Sequence, residues 1–131
     1  MFARLPESRP SLPDGTTPEI TIRQLLSHTS GLWYGFFEPE DGPYHQANVS
    51  DGLDQPGLST AEDLRRLASL PLAYQPGAAW SYSLGHDVAG EAIARAYRRP
   101  LAEAVRDLVA ATLGMNDTGF AVADASRRAV E

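Results

Sequence analysis

The chain has 131 residues, 43% of them hydrophobic, which suits one packed domain and excludes a wholly disordered chain. Its 11 basic residues are all arginine and face 17 acids, a formal net charge of -6 that argues against a nucleic-acid binder. Lysine and cysteine are absent, so Schiff-base chemistry, a phosphate-loop lysine, a Ser-Lys pair, disulfides and thiolate metal sites are excluded within these residues.

Residues 1–19 read as an irregular lead-in, because Pro6, Pro10, Pro13 and Pro18 break any long helix. Ile22, Leu25 and Leu26 then fall on one face of a short helix. Thr21 or Glu19 serves its first turn, and Gly31 is the expected stop. Residues 33–58 hold no sustained period but many Gly and Pro, with Trp33, Tyr34, Phe36, Phe37 and Tyr44 interleaved. A stretch of that length reads as an ordered loop facing a substrate, with disorder the alternative. No Arg lies between Arg23 and Arg65.

Ser59 and Glu62 have capping-box spacing, and Leu64, Leu67 and Ala68 form the buried stripe behind them. Gln75-Pro76-Gly77-Ala78 has Pro and Gly where a type II turn requires them. Ser83 is a second capping signal, with Asp87 in the first turn and Leu84, Val88, Ala92 and Ala96 along the stripe. Pro100 breaks that helix and opens another, which Gly114 ends. Helices are therefore predicted over Thr21–His28, Thr60–Ser69, Ser83–Arg98 and Leu101–Leu113, and a short strand over Thr118–Val122. The fold class is mainly α with little or no sheet, in one (sub)domain spanning 1–131. No apolar run reaches the ~20 residues of a membrane span, and no signal-peptide core begins the chain, which favours the cytoplasm.

His28, His45 and His86 lack ligand spacing, so no metal is expected, and His28 reads as a helix-end residue bonded locally. Glu38, Glu40 and Asp41 read as solvated acids rather than a glycosidase pair. Neither a Gly-rich phosphate cradle nor a G-x-S-x-G elbow occurs, and no cofactor is expected. Tyr82 stands between a tight turn and a helix N-terminus, where the dipole favours a phenolate. A phenol ordinarily titrates near ~10, so base chemistry at neutral pH needs a nearby cation as well. From spacing alone, Tyr82 reads as a half-buried ring sealing a helix entry.

Three ordered blocks change that weighting. Ile20 to Leu32 (ITIRQLLSHTSGL), Pro76 to Gly90 (PGAAWSYSLGHDVAG) and Leu113 to Phe120 (LGMNDTGF) resemble successive signatures of the serine β-lactamase-related superfamily. That superfamily includes class C β-lactamases, D-alanyl-D-alanine carboxypeptidases and family VIII carboxylesterases. The resemblance implies the helical subdomain of the β-lactamase/penicillin-binding-protein-like α/β fold. It also implies that Tyr82 is the catalytic Tyr, relaying protons beside a Ser-x-x-Lys pair. Leu84 departs from the Asn that class C enzymes usually carry there, which turns the expectation toward ester cleavage.

Ser-x-x-Lys and the downstream Lys-Thr-Gly-like strand are missing. The expectation is thus a fragment of a serine hydrolase, inactive alone, with a natural short paralogue as the alternative origin. Its substrate would be a small ester or amide, with a β-lactam as one option, and Trp33, Tyr34, Phe36, Phe37 and Leu84 would contact it. Self-association through a bare apolar face is also expected. The rival reading is a non-catalytic helical module that binds a partner through loop 33–58.

Overall fold

The computed structural model describes residues 10–52 and 54–121. Every regular element among them is helical. The chain divides into two compact units, Met1–Ala92 and Ile93–Glu131.

In the first unit, α1 (Ile22–Leu26) opens on a capping box. Thr21 Oγ1 accepts from the Gln24 N–H, and Gln24 Oε1 accepts from the Thr21 N–H, so Thr21 rather than Glu19 serves the first turn. The helix ends at Leu26 with Ser27 as its C-cap, and the chain reverses at His28, not at Gly31. His28 sits at φ 54, its N–H donates to Leu25 O, and the Thr29 N–H donates to Gln24 O at 2.9 Å. That is a Schellman cap with histidine in the place glycine usually takes. Gly31 is needed for a different reason: it has φ 85, and a Cβ there would collide with the Tyr74 carbonyl.

Residues 33–58 are less irregular than their composition suggests. They contain a 3-10 turn, Gly35–Phe37, and α2, Pro43–Gln46. Pro43 begins α2, and Glu38 Oε2 accepts from the Tyr44 N–H at 3.0 Å, so a side chain closes the turn that lacks an apolar period. α3 (Thr60–Leu67) is capped by Ser59 Oγ, which accepts from the Glu62 N–H. Only half of the predicted box forms, because the Glu62 carboxylate is taken by Arg65 at 2.7 Å and Arg66 at 2.9 Å. Charge-assisted bonds outcompete the backbone N–H.

The predicted turn at 75–78 forms, with the Ala78 N–H donating to Gln75 O and Gly77 at φ 90. α4 (Gly85–Tyr97) comes next. Its first residue must be Gly, since a Cβ would lie 2.6 Å from Leu25 O. The core of this unit gathers Leu25, Leu32, Tyr44, Leu67, Leu72 and Leu84. Full burial of one such leucine stabilises by about 2–3 kcal/mol.

In the second unit, α5 (Leu101–Val105) passes into a π-turn, Arg106–Ala110, where the Ala111 N–H donates to Arg106 O. The predicted continuous helix to Leu113 is therefore interrupted by a change of hydrogen-bond register, and Gly114 takes φ 69 after it. The predicted strand is not formed over Thr118–Ala121, where no ladder partner exists among the described residues. Val122 lies outside the described residues.

Candidate active site

Tyr82 precedes α4 by three residues, and the backbone N–H groups of both its neighbours, Ser81 and Ser83, are held by one residue. The Ser81 N–H donates to His28 O at 2.9 Å, and the Ser83 N–H donates to His28 Nδ1 at 3.2 Å. Ser83 Oγ lies 3.5 Å from the same nitrogen and accepts from the Gly85 N–H, tying the segment to the start of α4. The Tyr82 ring remains 47% exposed.

From Tyr82 the aromatic rings run on without a break. Tyr34 stacks on Tyr82 at 5.3 Å, Phe36 on Tyr34 at 4.7 Å, and Phe37 lies 4.3 Å from Phe36. Trp33 meets Phe37 edge-on at 5.9 Å. The four loop aromatics expected at a substrate therefore share one run with Tyr82. The backbone at Trp33 is anchored by Tyr44, a buried residue whose hydroxyl accepts from the Trp33 N–H at 2.9 Å. Leu84 does not join them. It is 2% exposed and part of the core, because the side chain after Ser83 turns inward beneath α4.

The two stacked tyrosines differ in environment. Burial, then the Asp87 carboxylate and the Tyr82 phenol, push the Tyr34 hydroxyl up to about 12, so it stays a neutral phenol at physiological pH. Tyr82 is the one open to solvent. His28 is held below the usual imidazole range by burial and by the nearby His86. With Nδ1 accepting from Ser83, the neutral ring carries its proton on Nε2.

Sequence reasoning placed His28 at a helix end, where it lies, but did not foresee that its ring and that of His86 come together beside Tyr82. Their ring centroids lie 4.5 Å apart, and His28 lies 4.6 Å from Tyr82 and edge-on to Trp80 at 6.2 Å. The available signal was local: His is enriched among non-glycine residues with positive φ, and His28 comes just after the last apolar position of α1. Among the described residues, no three His, Cys, Asp or Glu side chains are grouped as metal ligands. No helix among them is long and apolar enough to cross a membrane.

Residues 3–131 match the family model described as Beta-lactamase, and the chain belongs to that family. The esterase EstB of Burkholderia gladioli is 50% identical over 126 residues, which cover 96% of this chain and 32% of EstB. The solved structure of EstCE1, a hydrolase with promiscuous acyltransferase activity, superposes with a TM-score of 0.85 at 40% identity, covering 89% of this chain and 31% of that one. A D-stereospecific amidohydrolase from Streptomyces superposes at 0.59 with 30% identity, covering 84% of this chain and 32% of its own. The chain thus spans about a third of the length of these relatives. Its structural neighbours are β-lactamase-fold hydrolases, and its own helices form a strand-free region among the described residues.

Proposed function

We propose that this chain supplies the tyrosine-bearing helical part of a serine hydrolase that cleaves a small carboxylic ester or amide through an acyl-enzyme. Tyr82 relays the proton between the serine nucleophile and the leaving group. Trp33, Tyr34, Phe36 and Phe37 line the approach to it and select flat or apolar substrate groups. The observation that carries this reading is the half-exposed Tyr82 on a continuous aromatic run, with the backbone N–H groups of both its neighbours held by His28. Ester hydrolysis is favoured over β-lactam cleavage, because Leu84 offers no amide to a substrate and is turned into the core.

The chain contains no lysine, so no serine in it has the amine partner the reaction needs. Arginine stays protonated and does not accept the proton instead. The 131-residue chain is therefore expected to leave p-nitrophenyl esters and a chromogenic cephalosporin at background rates. In a longer chain that carries an upstream Ser-x-x-Lys, Tyr82→Phe keeps the ring stack and removes the hydroxyl. Turnover should fall by about 10²–10⁴, the contribution typical of a general acid–base group. Full activity of that variant would overturn the role given to Tyr82.

Apolar side chains at Leu108, Leu113 and Phe120 are 60–67% exposed, and self-association through them is part of the proposal, checked by sedimentation. The rival reading, a binding module without chemistry, gains only from the missing lysine. It predicts an open reading frame with no Ser-x-x-Lys.

A further inference from the structure

Three helices among the described residues end on a non-glycine residue in the left-handed region: α1 at His28, α2 at Asn48 and α4 at Arg98. Each forms the same six-to-one backbone bond, Thr29 N–H to Gln24 O, Val49 N–H to Tyr44 O, and Arg99 N–H to Ala94 O. Asn48 and Arg98 are more open to solvent, whereas His28 is 9% exposed. The backbone of a Schellman cap asks only for a positive φ, which glycine meets without strain. An imidazole at this place therefore answers a need of the side chain rather than of the helix end.

We infer that His28 is the positioning residue of Tyr82, a clamp whose carbonyl oxygen and Nδ1 hold the backbone N–H groups of Ser81 and Ser83, the residues on either side of the tyrosine, and so fix where its hydroxyl points. The inference rests on the reading of Tyr82 as the proton relay. Two bonds from one residue straddle a single side chain, with the bonded residues 53 and 55 positions away along the chain. The ring of His28 packs against the Tyr82 ring, tilted by 47°. His28 itself makes no claim on substrate, since it is buried behind Tyr82, and its effect passes through the tyrosine.

The clamp requires Nδ1 to be an acceptor. A second proton on the ring turns that nitrogen into a donor facing the Ser83 N–H, and the bond is lost. The titratable groups facing the imidazole are His86 from α4 and Tyr82 from the segment ahead of it. Acid should release the Ser83 amide first, with α1 and α4 still folded.

The test uses this chain with two substitutions that both tolerate a positive φ. His28→Asn places Oδ1 where Nδ1 stood, keeping an acceptor that does not titrate in this range. His28→Gly keeps the helix end and removes the acceptor. Amide hydrogen exchange at Ser83 should quicken about tenfold or more in His28→Gly, the loss expected for one buried hydrogen bond, and return most of the way in His28→Asn. The acid-dependent loss of Ser83 protection in the unmodified chain, taken against the intrinsic exchange rate at each pH, should be absent from His28→Asn. Wild-type exchange rates in both variants would overturn the clamp, and so would equal loss in both with unchanged helical circular dichroism. Nitrogen-15 spectra of the unmodified chain give a test that needs no variant: a proton on Nδ1 rather than Nε2 at neutral pH overturns it.

In a longer chain with Ser-x-x-Lys, His28→Gly should lower kcat about tenfold at unchanged KM, with His28→Asn restoring most of it. An unchanged kcat in His28→Gly alongside a damaging Tyr82→Phe would overturn the positioning role alone. An active Tyr82→Phe with the exchange pattern intact would instead overturn only the function given to Tyr82.

Discussion

Helices α1 and α4 end by the same backbone device, yet the chain beyond each end is held in a different way. After Arg98 it continues through local contacts: Arg99 pairs with Glu103 at 3.5 Å, Tyr97 donates to Asp107 at 3.0 Å, and Arg106 pairs with its neighbour Asp107. After His28 the chain meets distant backbone at nearly every step. The Gly77 N–H donates to Thr29 O, the Ala73 N–H to Gly31 O, and the Ser81 N–H to His28 O. Exposed ion pairs of the first kind contribute little to stability. Backbone bonds of the second kind tie together segments far apart in the chain, so the first unit's site region should be far less tolerant of change than the second unit.

The largest expected contrast is between two glycines with positive φ. Gly31→Ala combines left-handed strain with a collision against the Tyr74 carbonyl, which is backbone and has little room to move. A loss of about 4 kcal/mol or more is expected, enough to unfold a marginal chain. Gly114→Ala at φ 69 meets nothing within 4 Å and carries only the conformational penalty, about 1–2 kcal/mol. Urea unfolding of the two variants measures the difference, and equal losses would erase the distinction between the regions.

A smaller contrast is expected from two leucines. Leu72 is 1% exposed, and its N–H donates to Ser11 O at 2.7 Å, so Leu72→Ala leaves a cavity beside a fixed stretch of backbone. About 2–5 kcal/mol should be lost. Leu108 is 60% exposed in the π-turn, and at concentrations where the chain is monomeric Leu108→Ala should stay within about 0.5 kcal/mol. Thermal melts of the pair in dilute solution check this, and a Leu108 effect as large as that of Leu72 under those conditions would erase the contrast between the two units.

The gentlest probe is alkali. Burial pushes both Tyr34 and Tyr44 up to about 12, with Asp87 adding to the first and Glu38 to the second. A phenol raised in the folded state stabilises fully below its unfolded value near ~10, and that contribution is lost as pH climbs toward about 12. Phenolate absorbance should therefore show these two tyrosines ionising late, together with loss of the near-ultraviolet dichroism of the aromatic run. Early ionisation of both, with the dichroism intact, would mean that the run is open to water.

Much of this architecture was legible in the residues. The i, i+3, i+4 stripes placed α1, α3 and α4 within a few residues, and Pro76-Gly77 specified its turn, because helix and turn geometry are set by neighbours four or fewer positions apart. The three ordered blocks gave the family, and the second of them pointed at Tyr82. The same local logic erred where two local options competed, as at Glu62, whose carboxylate chose arginines over the helix end.

What tertiary structure alone decided is a matter of distance along the chain. No periodicity joins residue 28 to residue 83, so His28 read as a locally bonded helix end until the fold brought Ser83 to its Nδ1. Gly85 lies inside the helix predicted from Ser83 and drew no separate reading, yet its missing Cβ is what lets α4 approach the Leu25 carbonyl. Leu84 matched a substrate-contact position by resemblance, yet the turn from Ser83 into α4 swings it into the core, and the loop aromatics that run out from Tyr82 were assembled by stacking rather than by spacing. Local propensity fixes which residues are helical, while burial and close backbone approach, which depend on segments some 50 residues apart, fix which of them surround Tyr82.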